Sequence, residues 1–452
     1  MVDFSKEGWA RNRTALDNVA LRIHGSAAPG RVAVIGAGLA GLNIGRRLAQ
    51  AGATVTVFER RPDPRKTPLH DTRSFNITLG EFGLAAAGDV ESAIRDAGQR
   101  VVGRAVFLGG KLTLSDYGLR STDGFVSIPR PTLLEQLRDA AERAGVTLYY
   151  DREVVSSYPD SGVVESRRPG DGTLERQTFG LIIYADGVTG EGRQVLLHRP
   201  EVSSHKVCDP IQYLRVRIDA REALAAGLPL SRVNFWTGPG GVSIGIPNRD
   251  GSFSVLIMGQ FGGAFGEPPF TSKSAAAEFL RRRNRSLLEI APNVAEQLVN
   301  APRGGFCYTT TSHWQVGRLA MLIGDSARCT PPWAGVGGAA ALDDGTTFVG
   351  ILAEHQRFDR ALAAFEANRL VAARILGRMV SSHANLLMRE IGSVGWRVAE
   401  VLARAKERAF GTRTVYQRIV FERDGLARLV AADSARQPAA PRWSDSAVIQ
   451  AE

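Results

Sequence analysis

Apolar residues are spaced in two ways along this chain, as short continuous or alternating runs and as helical stripes, and their order predicts most of the architecture. From Arg31 to Arg61 the sequence reads RVAVIGAGLAGLNIGRRLAQAGATVTVFERR. Val32-Ala33-Val34-Ile35 is an apolar run of strand length, and Leu42, Ile44, Leu48 and Ala49 then recur at helical spacing. After the turn Ala51-Gly52 a second run follows from Thr54 to Phe58. Short glycine-bounded apolar runs read as buried strands and the stripe between them as a helix, so the segment predicts a strand–helix–strand unit. Arg73 to Leu79 alternates as a strand, Gly83 to Ala97 reads as a helix, and Gly103 to Asp116 reads as two strands around Gly109-Gly110. Val126 to Arg130 leads into a helix through Leu133, Leu134, Leu137 and Ala141, and Val146 to Tyr150 with Val154 closes this part. Leu181 to Tyr184 is another apolar strand, running into Ala185-Asp186-Gly187.

From about residue 205 to 315 the pattern changes. Tyr213 to Ile218, Arg232 to Trp236, Val242 to Ile246 and Phe253 to Met258 are strand-like, and Pro247-Asn248-Arg249-Asp250-Gly251 marks a turn. This predicts an antiparallel meander that roofs a reaction site, followed by a helix from Ser272 to Glu289. A further strand ends at Gly324-Asp325, and Gly335, Gly337 and Gly338 open an Ala-rich helix. Phe358 to Leu376, Met379 to Glu390 and Val394 to Ala409 read as helices, with Phe365, Ile375 and Leu386 as packing positions. The expected fold class is α/β. A Rossmann-like dinucleotide-binding domain spans 31–200 and 316–354, a mixed or antiparallel-sheet substrate domain spans 201–315, and a helical region spans 355–429. Residues 1–30 form a polar extension and 430–452 read as a disordered tail.

Composition narrows the function classes. With 44% hydrophobic and 23% charged residues over 452 positions the chain is an ordinary globular protein. No apolar run reaches the roughly 18–20 residues of a membrane span, and the N-terminal stretch lacks the apolar core of a secretory signal. Cys208, Cys307 and Cys329 have neither metal-ligand spacing nor an even count, so no metal site is expected, and a reduced, cytoplasmic protein is. The net charge of +10 comes from scattered arginines without the basic–aromatic interleaving of a nucleic-acid platform. Such a field suits small anionic partners such as NADPH.

Gly36, Gly38 and Gly41 stand at G-x-G-x-x-G spacing directly after the first strand, and Glu59 ends the second, about 20 residues further on. Gly36 permits the tight turn, Gly38 lets backbone approach a pyrophosphate, and Gly41 lets helix and strand pack closely. The helix start faces the phosphates with free N–H groups, and Glu59 can accept from a ribose diol. Backbone N–H groups at the helix after Gly335 offer a second such cradle, and Asp325 is placed to accept from a ribityl hydroxyl.

Taken together, the glycine fingerprint with Glu59, then Ala185-Asp186-Gly187, then Gly324-Asp325 followed by proline and glycine, resemble the ordered signatures of the group A FAD-dependent aromatic monooxygenases. The resemblance runs from Arg31 to about Leu429. It implies an enzyme that binds FAD, takes electrons from NADPH or NADH, and uses O2 through a flavin C4a-hydroperoxide to hydroxylate a small aromatic substrate. By this resemblance Gly36, Gly38, Ala40, Gly41, Glu59, Arg60, Arg61, Thr78, Arg130, Val154, Asp186, Asp325, Gly335, Gly338 and Ala339 surround the cofactor. No protein general base is implied, and no separate NADPH-binding domain.

Within the group the chain is most similar to the kynurenine 3-monooxygenases. Arg73-Ser74-Phe75-Asn76-Ile77-Thr78-Leu79 looks like their R-S-I-N-L-A-L, and Thr414 to Phe421 like their P-L-Y-x-M-V-T-F. That likeness maps Arg104, Tyr117 and Tyr416 onto a carboxylate anchor, an arginine fork with phenol donors. Departures concern the surroundings of the ring. Gly335-Val336-Gly337 lacks a glutamine, Gly338-Ala339 replaces Met-Asn, Arg328 replaces a histidine, and Ala384 stands for an asparagine, with Asn385 adjacent as its substitute. The expected substrate is an amino-acid-like aromatic carboxylate such as kynurenine or a substituted relative. Hydroxylation of a phenolic or polyketide product, a flavin reductase or oxidase without oxygen insertion, and a non-catalytic FAD-binding protein stand as alternatives.

Overall fold

The computed structural model describes residues 30–66, 75–108, 111–168, 170–238, 241–261, 270–355, 357–387 and 393–436. Strand β1 (Arg31–Ile35) is buried from its second residue on, as an apolar run must be when both faces of a parallel sheet are covered. It pairs in parallel with β2 (Thr54–Phe58) on one side and with Leu181–Tyr184 on the other. Helix α1 (Leu39–Gln50) makes the crossover between β1 and β2. The sheet has six strands. Thr147–Tyr149 flanks β2, and Ala320–Leu322 and then Gln315–Val316 extend the opposite edge. The chain thus builds another sheet before returning to complete the first.

That other sheet has seven strands, in the order Arg303–Thr311, Ser204–Ile218, Phe253–Gly259, Gly241–Pro247, Arg232–Gly238, Gly103–Leu108 and Lys111–Asp116. Pairing is antiparallel except where Gly103–Leu108 runs parallel to Arg232–Gly238, setting Arg104 opposite Val233. Successive side chains on a strand point to opposite faces. Leu214, Trp236 and Ile257 accordingly join a core beneath the sheet with Leu280, Leu287 and Leu298. Their neighbours Tyr213, Phe235 and Leu256 face the other way and line a cavity.

The helix expected from Ser272 to Glu289 is two helices, Lys273–Arg283 and Arg285–Ile290. They divide at Asn284, whose side chain accepts from Ser243 Oγ and donates to the Trp236 carbonyl, both within 2.9 Å. Helix α2 (Gly337–Glu354) packs on α1 and on Glu81–Ala87. Helix α3 (Phe358–Asn385) is one continuous run of 28 residues where two helices were expected. Gly377 falls inside it and makes room for the Tyr308 ring rather than ending the helix. Helices α4 (Val394–Phe410) and α5 (Val415–Phe421) follow. A last helix, Gly425–Arg436, occupies part of the expected tail. Leu426 and Val430 bury its apolar side, and Arg374 lies 3.6 Å from Asp433. The extension through residue 29, Arg73, Ser74, Gly109, Gly110 and residues 437–452 lie outside the described residues.

One expectation is corrected. Cys208 and Cys307 are joined as a disulfide, Cα atoms 4.1 Å apart, and only Cys329 of the three is free. The pair sits at directly opposed positions of neighbouring strands. A separation of 99 residues hides that register from the sequence. Among the described residues no helix is long and apolar enough to cross a membrane, and no cluster of metal-ligating side chains occurs.

Candidate functional site

A cavity of about 820 Å³ lies between the six- and seven-stranded sheets. Gly36, Gly38, Ala40, Glu59, Arg60, Arg61, Thr78, Arg130, Val154, Asp186, Asp325, Gly335 and Gly338 line it, and so do Arg104, Tyr117 and Tyr416. Two expected lining residues do not. Ala339 is buried against Gly83 of the helix Glu81–Ala87. Gly41 faces Gly36, and a Cβ there would sit 1.9 Å from the Gly36 carbonyl oxygen, so its role is close packing of helix on strand. The side chain of Asn385 lies outside the described residues; its neighbours His383, Leu386 and Leu387 line the cavity.

The glycine loop fits a dinucleotide. Gly36 has φ +103°, and a Cβ on it would approach the Ala185 carbonyl oxygen to 2.6 Å. The start of α1 at Gly38 carries no side-chain cap, and neither does the start of α2 at Val336. Two sets of unsatisfied helix N–H groups therefore begin at the cavity wall, as an anionic or electron-rich ligand requires. Glu59 is held ready: its carboxylate accepts from Ala37 N at 3.0 Å and from Arg61 N and Nε at 2.9 and 3.1 Å. Ser326 Oγ donates to Asp186 at 2.9 Å and accepts from Gly187 N at 2.7 Å, which locks the second signature to the third. Thr78 Oγ donates to the Gly335 carbonyl at 3.0 Å and fixes the second glycine turn.

Asp325 opens onto the cavity and is enclosed by protein on its other sides. Enclosure pushes its carboxyl above the usual aspartate range, against the pull of Arg328 and Arg130. Among the described residues nothing donates to that carboxylate. The side chain is exposed to the cavity, so a ligand hydroxyl can reach it as donor. Arg328, at the position of the expected histidine departure, is buried beside Asp344 at 3.9 Å and over the Trp314 ring. It belongs to the floor beneath the cofactor cradle and not to the lining.

The cavity wall built by the seven-stranded sheet is largely apolar and aromatic. Tyr213, Phe235, Ile244, Ile246, Leu256 and Met258 come from the seven-stranded sheet, and Phe306 and Trp333 pack edge to face at 4.9 Å. Its polar residues cluster. Arg104 lies over the Tyr117 ring at 4.6 Å and gives one N–H to Glu400 of α4 at 2.9 Å. Burial raises the Tyr117 and Tyr416 phenols above the usual tyrosine range, so both stay protonated donors at neutral pH. Two groups here escaped the sequence reading. Glu400 touches Arg104 across 296 positions, and no local pattern signals such a pair. His383 stacks on Tyr416 with ring centroids 4.4 Å apart. Its signal was present, a histidine two positions before Asn385 on a helix that reaches the pocket.

Comparison with known proteins agrees with a flavin cofactor. Residues 30–378 match the family described as "FAD binding domain". Kynurenine 3-monooxygenase of Salinispora arenicola is 28% identical over 393 residues, covering 85% of this chain and 86% of that one. The Stenotrophomonas maltophilia protein of the same name is 26% identical over 397 residues, covering 85% of each. Among solved structures, 2-methyl-3-hydroxypyridine-5-carboxylic acid oxygenase superposes with TM-score 0.66 at 18% identity, over 83% of this chain and 96% of that one. Klebsiella pneumoniae HpxO, complexed with FAD and uric acid, superposes with TM-score 0.65 at 19% identity, over 91% and 98%. At those identities the structural likeness is one of fold.

Proposed function

This chain belongs to the FAD binding domain family and is an FAD-dependent monooxygenase of the aromatic hydroxylase type, and we propose that its substrate is an aromatic amino-acid-like carboxylate, kynurenine or a substituted relative. The observation that carries this reading is the meeting of Arg104, Tyr117 and Tyr416 in one wall of the cavity, beside the apolar side chains of the seven-stranded sheet. An arginine fork flanked by protonated phenols suits a carboxylate, and the aromatic walls suit the ring. FAD, when bound, supplies the redox chemistry and activates O2, with NADPH or NADH as reductant. The chain's own residues bind and orient. Glu59 takes a ribose diol, Asp325 a ribityl hydroxyl, and the N-termini of α1 and α2 the electron-rich groups. The sheet residues Phe235, Ile246 and Met258 keep water from the reacting ring. Glu400 and the Tyr117 ring hold the Arg104 fork in position for the substrate carboxylate.

A second reading, a phenolic substrate, rests on Val336, which stands where the resembled enzymes carry a polar side chain beside the flavin. Val336 itself is buried and does not line the cavity, so the altered turn acts on the ring only through Gly335, Gly337 and Gly338, which do. Binding of L-kynurenine to wild type and Arg104→Ala separates the two readings. Loss of one charge-assisted contact weakens binding by about tenfold or more; equal affinities sink the anchor assignment.

A further inference from the structure

His383 lies near the end of α3 and has no part in the reading above. Its ring lines the cavity and packs on Tyr416 at an interplanar angle of 30°. Nδ1 lies 3.2 Å from the carbonyl oxygen of Met379, one turn back on the helix. A carbonyl oxygen only accepts, so Nδ1 carries the proton and Nε2 presents a lone pair. Burial and the neighbouring Arg104 charge push the ring's pKa down to about 4, which keeps it neutral at neutral pH. Among the described residues Nε2 has no hydrogen-bond partner.

This wall therefore offers an uncharged acceptor beside three donors. The lack of charge matters, because a second carboxylate beside Glu400 would take the rest of the Arg104 fork away from the substrate. Glu400 already balances Arg104 from outside the lining, so the wall as a whole is close to neutral. A neutral wall with a cationic fork and a separate acceptor matches a zwitterion better than a plain anion. Resting on the amino-acid reading above, we propose that His383 Nε2 accepts a hydrogen bond from the substrate's α-ammonium group while Arg104, Tyr117 and Tyr416 take its carboxylate. His383 is then the specificity determinant for amino acids over aryl-substituted acids that lack the amine.

The test uses FAD-loaded full-length protein and two ligands, L-kynurenine and its desamino analogue, which keeps the ring and the carboxylate. Dissociation constants are read by titration calorimetry, with retained flavin absorbance as the check on folding. Wild type should prefer kynurenine by about tenfold or more, the scale of a hydrogen bond to a charged group. His383→Phe keeps the aromatic packing on Tyr416 and removes the acceptor, so the preference should fall close to one. His383→Gln restores a carbonyl acceptor, so part of the preference should return. Wild type and His383→Phe showing the same ratio, with flavin retained in both, overturns the role of His383 alone. Wild type binding neither ligand overturns the amino-acid reading and takes this proposal with it.

Discussion

Arg413 joins the C-terminal helices to the anchor, and removing its charge should loosen the pocket without touching the nucleotide half. The guanidinium is buried among carboxylates. It bonds Asp123, lies 3.2 Å from Glu422 and lies 3.6 Å from Glu407. Asp123 also accepts from Arg120 N at 3.0 Å, and Gln417 donates both to Glu407 and to the Tyr117 carbonyl. The cluster thus ties α5, which carries Tyr416, to the loop that carries Tyr117. Arg413→Met keeps the length of the stem and strands two acids, Asp123 at 3% and Glu407 at 8% exposure. Glu422 keeps a second partner in Arg428. Deleting one member of a buried ion pair costs about 3–5 kcal/mol. A cost of about 4 kcal/mol multiplies the population with the helices detached by roughly a thousandfold. Native-state hydrogen exchange reads this directly. Protection should fall by about that factor in peptides covering 117–123 and 415–421, and stay unchanged in β1. Unchanged protection in the first two would refute the claim that the cluster holds the anchor closed. An equal loss in β1 would refute its confinement to this half.

Other perturbations separate packing from ligand chemistry. Gly41→Ala places a Cβ 1.9 Å from the Gly36 carbonyl oxygen, so the glycine loop must shift and the purified protein should lose FAD; full flavin absorbance after gel filtration would contradict this. Asp325→Asn should weaken FAD binding by about tenfold or more, as loss of a charged acceptor does, while stabilising the apoprotein at neutral pH. The sign follows from the raised carboxyl, whose ordinary value is 3.8. The wild-type penalty is absent below that value, grows as pH rises from it towards the raised one, is complete above that, and is missing in the amide. Urea denaturation of both apoproteins across pH should show the gain growing upward from acid; a gain independent of pH would count against enclosure as its cause.

Local signals were strong where one segment carries the whole function. The turn, helix and acid of residues 31–59 obey spacing rules that packing of helix on strand imposes, and so could be read directly. The runs Tyr213 to Ile218 and Arg232 to Trp236 were likewise readable as strands of one sheet. What escaped depends on pairs far apart in the chain. Gly103–Leu108 pairs in parallel with Arg232–Gly238, and nothing local marks a parallel partner. Cys208 with Cys307, Arg104 with Glu400 and Arg413 with Asp123 are contacts of that kind. The helix break expected between Leu376 and Met379, where Gly377 stands, is missing for another reason. A glycine within a helical pattern reads as a break, and here it serves the close approach of Tyr308.

The most direct test of the account is oxidation of NADPH by the FAD-loaded protein with and without L-kynurenine, with mass spectrometry of the products. The account predicts strong stimulation and a product heavier by one oxygen atom. Stimulation that releases only peroxide would mean that the anchor accepts kynurenine while the ring lies out of reach. No stimulation, in protein that retains FAD, would contradict the amino-acid substrate and send the search to phenols.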